Sequence, residues 1–122
     1  MRRLLRYDDN LGKLIDLDES GVRKSGEELV EAIRNSPIKT ATDGSSLEPL
    51  MAYGDAARNG KVTIRRDWDQ DPMYGQFREG WLPKGVYEAY GKLTFYTHGL
   101  LRGPPEVVKR DGQTFAWIDC AE

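Results

Sequence analysis

The chain has 122 residues, 39% of them apolar and 31% charged, with a net charge of −2. That length fits a single domain, residues 1–122, whose core is large enough to fold unaided. The balance of charge excludes a polybasic nucleic-acid binder, which needs an excess of Lys and Arg, and equally a strongly acidic DNA mimic. A lone cysteine, Cys120, makes no internal disulfide, which points to a reducing compartment. The opening MRRLLRYDDNLGK lacks the apolar stretch of a signal peptide, and no run approaches the roughly 18–20 apolar residues of a membrane span. A cytoplasmic protein with no membrane contact is expected.

Residues 3–17 predict a β-hairpin, with Asn10 and Gly12 free to take the positive φ of the turn. Asp16, Asp18, Glu19 and Gly21 follow as a solvated loop. Ser25 with Glu28 forms an S-x-x-E capping box that predicts a helix, with Leu29, Ala32 and Ile33 on its apolar stripe and Asn35-Ser36-Pro37 ending it. A second box, Ser45 with Glu48, opens a helix to about Arg58, with Pro49 in its first turn and Asn59-Gly60 as its stop. Between the helices, the polar KTATDGSS predicts a mobile surface loop.

Lys61–Arg66 alternates apolar and polar residues and predicts a half-buried strand. From Asp67 to Lys84 no period holds, and the segment contains Pro72, Gly75, Gly80 and Pro83. Val86–Tyr90 reads as a strand or as a helical turn begun by Pro83, with the strand preferred, and Leu93–His98, rich in β-branched and aromatic residues, is assigned as a strand. In EVVKRDGQTFAWID, Asp111-Gly112 joins two β-rich runs and gives the strongest hairpin signal of the chain. Phe115 and Trp117 are expected on opposite faces of the last strand. The predicted fold is α+β, a mainly antiparallel sheet of about five to six strands with two short helices packed on one face.

Function centres on residues 65–98, which hold eight of the twelve aromatic residues and the only histidine. Asp67, Asp69 and Asp71 alternate and would share one side of an extended backbone, as oxygen ligands of a hard cation do. The calcium-loop pattern nevertheless fails, because Pro72 and Arg78 stand where glycine and glutamate belong. One His and one Cys cannot supply a zinc site, and no phosphate-binding glycine motif occurs. No metal or cofactor is therefore expected, and the aspartates read as a solvated acidic turn paired with Arg65 and Arg66. His98 is the natural general acid or base if the chain is an enzyme.

Trp68, Tyr74, Phe77 and Trp81 lie among Arg65, Arg66, Asp69 and Asp71, and aromatic and Arg residues dominate interface hot spots. These eight residues are expected to contact another protein, the alternative being a loop folded back over the core with its four aromatic rings as anchors. The leading expectation is a small intracellular binding module, such as an inhibitor, immunity-type or accessory protein acting by occlusion. The alternatives are a compact hydrolase or nuclease-like enzyme using His98, and a small-ligand-binding domain walled by Trp68 and Trp81.

Overall fold

A computed structural model describes residues 1–72 and 80–121, apart from the side chain of Asp69. Among these residues the chain is α+β, with three helices and one antiparallel sheet. The order is β1 (Arg2–Asp8), β2 (Lys13–Leu14), α1 (Glu19–Asn35), α2 (Glu48–Arg58), α3 (Lys84–Thr97), β3 (Glu106–Arg110) and β4 (Gln113–Asp119). Four strands thus replace the expected five or six, and three helices the expected two.

Helix α1 begins two turns before its expected cap. Asp18, buried at 6% exposure, accepts from the Gly21 N–H at 3.1 Å and caps the helix. Its second carboxylate oxygen accepts the Ala121 N–H at 2.9 Å, so the supposed solvated loop is a joint between helix and C-terminal strand. Ser25 is no cap; its hydroxyl donates back to the Gly21 carbonyl at 2.6 Å inside the helix. The end at Asn35 is as expected, with Ser36 as the C-cap. Val22, Leu29, Val30 and Ile33 recur at helical spacing and bury fully or nearly so.

Helix α2 runs as expected, with proline in its first turn and positive φ (74°) at Gly60. Ser46, rather than Ser45, accepts the Glu48 N–H at 3.1 Å. The loop before it is docked: Ala41 is buried, and Thr42 donates its N–H to the Trp81 carbonyl at 2.7 Å. Helix α1 packs against both α2 and α3. It crosses α2 so closely that a Cβ added at Gly26 would lie 2.8 Å from the Gly54 carbonyl.

The two strands expected at Val86–Tyr90 and Leu93–His98 are one helix, α3. Val86, Ala89, Tyr90, Leu93, Thr94 and Thr97 are its buried residues, a 3.6-residue period that outweighs their β-prone composition. Lys61–Arg66 is not a strand either. Val62 packs against the helical core, while Ile64 is 78% exposed.

In the sheet, order β2-β1-β4-β3, both hairpins form where expected. Gly12 takes positive φ in the first turn and Asn10 does not; in the second, Asp111 (51°) and Gly112 (79°) both do. Leu5 and Ala116 face inward and pack with Leu14 and Cys120 as a cluster separate from the helical core. Phe115 and Trp117 share the other face, because residues two apart on a strand point the same way. The layers are joined at Gly99 (φ 66°), whose carbonyl accepts the Leu14 N–H at 2.8 Å. A side chain there would strike the Leu14 backbone at 2.5 Å.

Candidate functional site

One tether fixes the segment after α2 to the C-terminal end of α3, and two more fix it to the β1–β2 hairpin. The Arg66 N–H donates to the Thr97 carbonyl at 2.9 Å. The Arg65 side chain donates to the Leu14 carbonyl at 3.3 Å and lies 3.7 Å from Asp8, reaching the β1–β2 hairpin. Gln70 then accepts the Asp67 N–H on its side chain at 2.7 Å, while its own N–H returns to the Asp67 carbonyl at 3.0 Å. This winds Trp68–Gln70 into one 3-10 turn. Asp71, the next residue, is thereby directed inward.

There Asp71 is 6% exposed and meets His98, which is wholly buried. Its Oδ1 accepts from Arg66 Nε at 3.1 Å, and its Oδ2 pairs with His98 Nε2. A carboxylate held by an arginine accepts, so Nε2 is assigned the hydrogen. His98 Nδ1 has no hydrogen-bond partner among the described residues. Arg66 also donates to the Gln70 carbonyl and stacks over the Tyr53 ring, 4.8 Å from its centroid. Trp68 lies over the imidazole with ring centroids 4.2 Å apart, yet remains 37% exposed.

Two tyrosines complete the support. The Tyr53 hydroxyl is 2.5 Å from Thr97 Oγ1, and the Tyr90 hydroxyl donates to the Pro72 carbonyl. Their rings meet edge-on, with centroids 6.2 Å apart. Burial pushes both phenols above their ordinary value, and the nearby Asp71 charge pushes the same way. For Tyr53, the bond to Thr97 and the Arg66 charge oppose that rise in part. The arrangement is a buried polar brace, drawn from α2, α3 and the segment between them, beneath one half-exposed indole. Buried charges of this kind persist only where each finds its partner.

Of the residues expected to contact a partner, Arg66 and Asp71 belong to this brace and Arg65 to the hairpin tether. Trp68 stands at the surface. Trp81 is half-buried, and its carbonyl holds Thr42. Tyr74 and Phe77 lie outside the described residues, as does the side chain of Asp69. Tyr53, Tyr90 and Thr97 are supports that the sequence reading missed. Tyr53 carried no signal beyond helical spacing, and the other two were hidden by reading α3 as strands.

The alternating aspartates do not converge, because Asp67 is exposed at the start of the 3-10 turn while Asp71 is buried at its end. Among the described residues no group of three or more His, Cys, Asp or Glu could hold a metal ion, and no helix is long and apolar enough to cross a membrane. Cys120 sits in the sheet cluster, where burial pushes its thiol up. A groove of about 440 Å³ lies between the end of α3, residues 100–105 and β4, and His98 does not line it. Compared with known proteins, the chain matches no family model, no curated protein and no solved structure.

Proposed function

We propose that the chain is a non-enzymatic protein-binding module that holds its partner on the Ile64–Trp68 side, with Trp68 as the anchor. The observation that supports this reading is the pairing of a 37% exposed indole with a wholly buried histidine beneath it. A tryptophan fixed before binding loses little freedom on association, and so contributes most of its buried area to affinity. Ile64, 78% exposed and four residues away, adds apolar surface to the same segment. Inhibition or accessory action by occlusion needs no more than such a face.

Affinity capture from the native host with wild-type protein, followed by calorimetry on the purified partner, tests this. Trp68→Ala is expected to keep the fold and weaken binding by about 2 kcal/mol or more, roughly 30-fold. If Trp68→Ala unfolds the chain, or binds the partner as tightly as wild type, the proposal fails.

A second reading is supported by one observation. The Asp71–His98 pair with an unpartnered Nδ1 is the arrangement in which a carboxylate orients a catalytic imidazole. It requires Trp68 to swing aside, since the imidazole is fully covered. Any hydrolase activity of the purified protein should then vanish in His98→Ala and persist in Trp68→Ala. The binding reading expects no such activity.

A further inference from the structure

We infer that β3 is a self-complementary edge through which two copies of this chain pair, continuing the sheet across a two-fold axis. The inference is independent of the Trp68 face and rests on β3 alone. β3 pairs with β4 on one side only, and no backbone hydrogen bond from Glu106–Arg110 to any other segment is found among the described residues. Such an edge is a template for another strand. Val107 is 47% exposed there, although it lies on the face that packs inward at Leu5 and Ala116.

The order of charges along the strand selects the occupant. In EVVKR, antiparallel pairing centred on Val108 sets Glu106 opposite Arg110 of the second copy, and Arg110 opposite Glu106 of the second copy. Val108 then meets itself. Arg110 has no ion pair among the described residues, while Glu106 already holds Arg2 at 2.9 Å and has carboxylate capacity for a second cation. The same centre sets Lys109 opposite Val107, so its aliphatic stem can cover the exposed valine while its ammonium stays in water. Directly opposed residues share a face, and Val108 lies beside Phe115. The two Phe115–Val108 rows therefore join into one apolar stripe. The other edge of the sheet is the two-residue β2 continued by Arg2–Leu5 of β1, a stretch with no acidic residue to face its arginines. Pairing at β3 is isologous and closes at the dimer.

Five residue pairs bury less than the roughly 1,200 Å² of a standard interface, so association belongs in the micromolar to millimolar range. Sedimentation velocity from about 10 µM to about 1 mM should show a reversible monomer–dimer equilibrium. Arg110→Glu and Glu106→Arg should each weaken it about tenfold or more, by opposing like charges twice across the axis, and the double exchange should restore it. Amide exchange on the wild-type protein supplies a readout that needs no variant to fold. Protection of residues 106–110 should rise with concentration while that of Lys13–Leu14 stays constant. A monomer at every concentration, a dimer indifferent to Arg110→Glu, a folded double exchange that stays monomeric, or exchange at β3 independent of concentration would each overturn the inference.

Discussion

Asp71 shows how one side chain can decide the local structure. Two groups depend on it: the half-buried Arg66 guanidinium at 3.1 Å and the His98 imidazole. Removing the central partner leaves His98 Nε2 and Arg66 Nε without their acceptor, while Arg66 keeps the Gln70 carbonyl, and breaking a buried pair in that way costs about 3–5 kcal/mol. Asp71→Ala is accordingly expected to lose that much in urea unfolding. Asp71→Asn keeps an acceptor oxygen of the same shape and should lose distinctly less. Equal, small losses in both variants would mean that Asp71 does not carry the brace. Trp68 fluorescence offers a second check, because releasing His98 frees the indole above it. The sequence places Asp71 in an acidic turn beside Arg65 and Arg66; the Arg66 pair forms, but the carboxylate is buried rather than solvated. Alternation with Asp67 and Asp69 suggested shared exposure, and a 3-10 turn abolishes alternation.

At the level of elements, the crossing of α1 and α2 makes a prediction whose sign differs between two glycines. A Cβ at Gly26 would fall 2.6 Å from the Ala57 methyl, 2.7 Å from the Arg58 nitrogen and 2.8 Å from the Gly54 carbonyl. These atoms are rigid, so the helices must separate, and such overpacking costs about 1–3 kcal/mol. The gain in helix propensity from Gly to Ala, at most about 1 kcal/mol, does not offset it. At Gly85, in the first turn of α3, the added Cβ meets nothing within 4 Å. Gly26→Ala should therefore lower the thermal midpoint, and Gly85→Ala should leave it unchanged or raise it. A Gly26→Ala protein as stable as wild type would mean that the two helices are not in contact there.

The elements also show what sequence carries. Helices α1 and α2 were legible because Asn35-Ser36-Pro37, Pro49 and Asn59-Gly60 act locally, on the residues beside them. Helix α3 was not, since Val86, Tyr90, Thr94 and Thr97 favour strands one by one. Their 3.6-residue period is rewarded only when α1 is there to cover them. The brace was illegible for the same reason: Tyr90 and Thr97 reach it only if the chain between them is helical.

For the molecule as a whole, the helical core and the sheet cluster are distinct, joined at Gly99–Leu14, Asp18–Ala121 and Arg65–Asp8. Those joints link residues far apart in the chain, which is why composition and hairpin signals gave the α+β class without the strand number. Tyr53 and Tyr90 sit in the helical core and beneath the brace at once, so their ionisation reports on global stability. Both are raised above the ordinary tyrosine value by burial in the folded state. Below about pH 10 the folded and unfolded chains both keep these protons, and the two rings add no pH dependence. Above it the unfolded chain releases them while the folded chain does not, so the unfolded state binds fewer protons and stability falls as pH rises. The slope is about 1.4 kcal/mol per pH unit for each ring, or about 2.7 for the pair. Urea midpoints from about pH 9 to about pH 11 should therefore drop steeply past pH 10. Tyr53→Phe and Tyr90→Phe should each take away about half of the tyrosine contribution, and the double variant should leave only what the buried Cys120 thiol adds. A wild-type midpoint that stays level across that range would mean that the two phenols are open to solvent, and the brace with them.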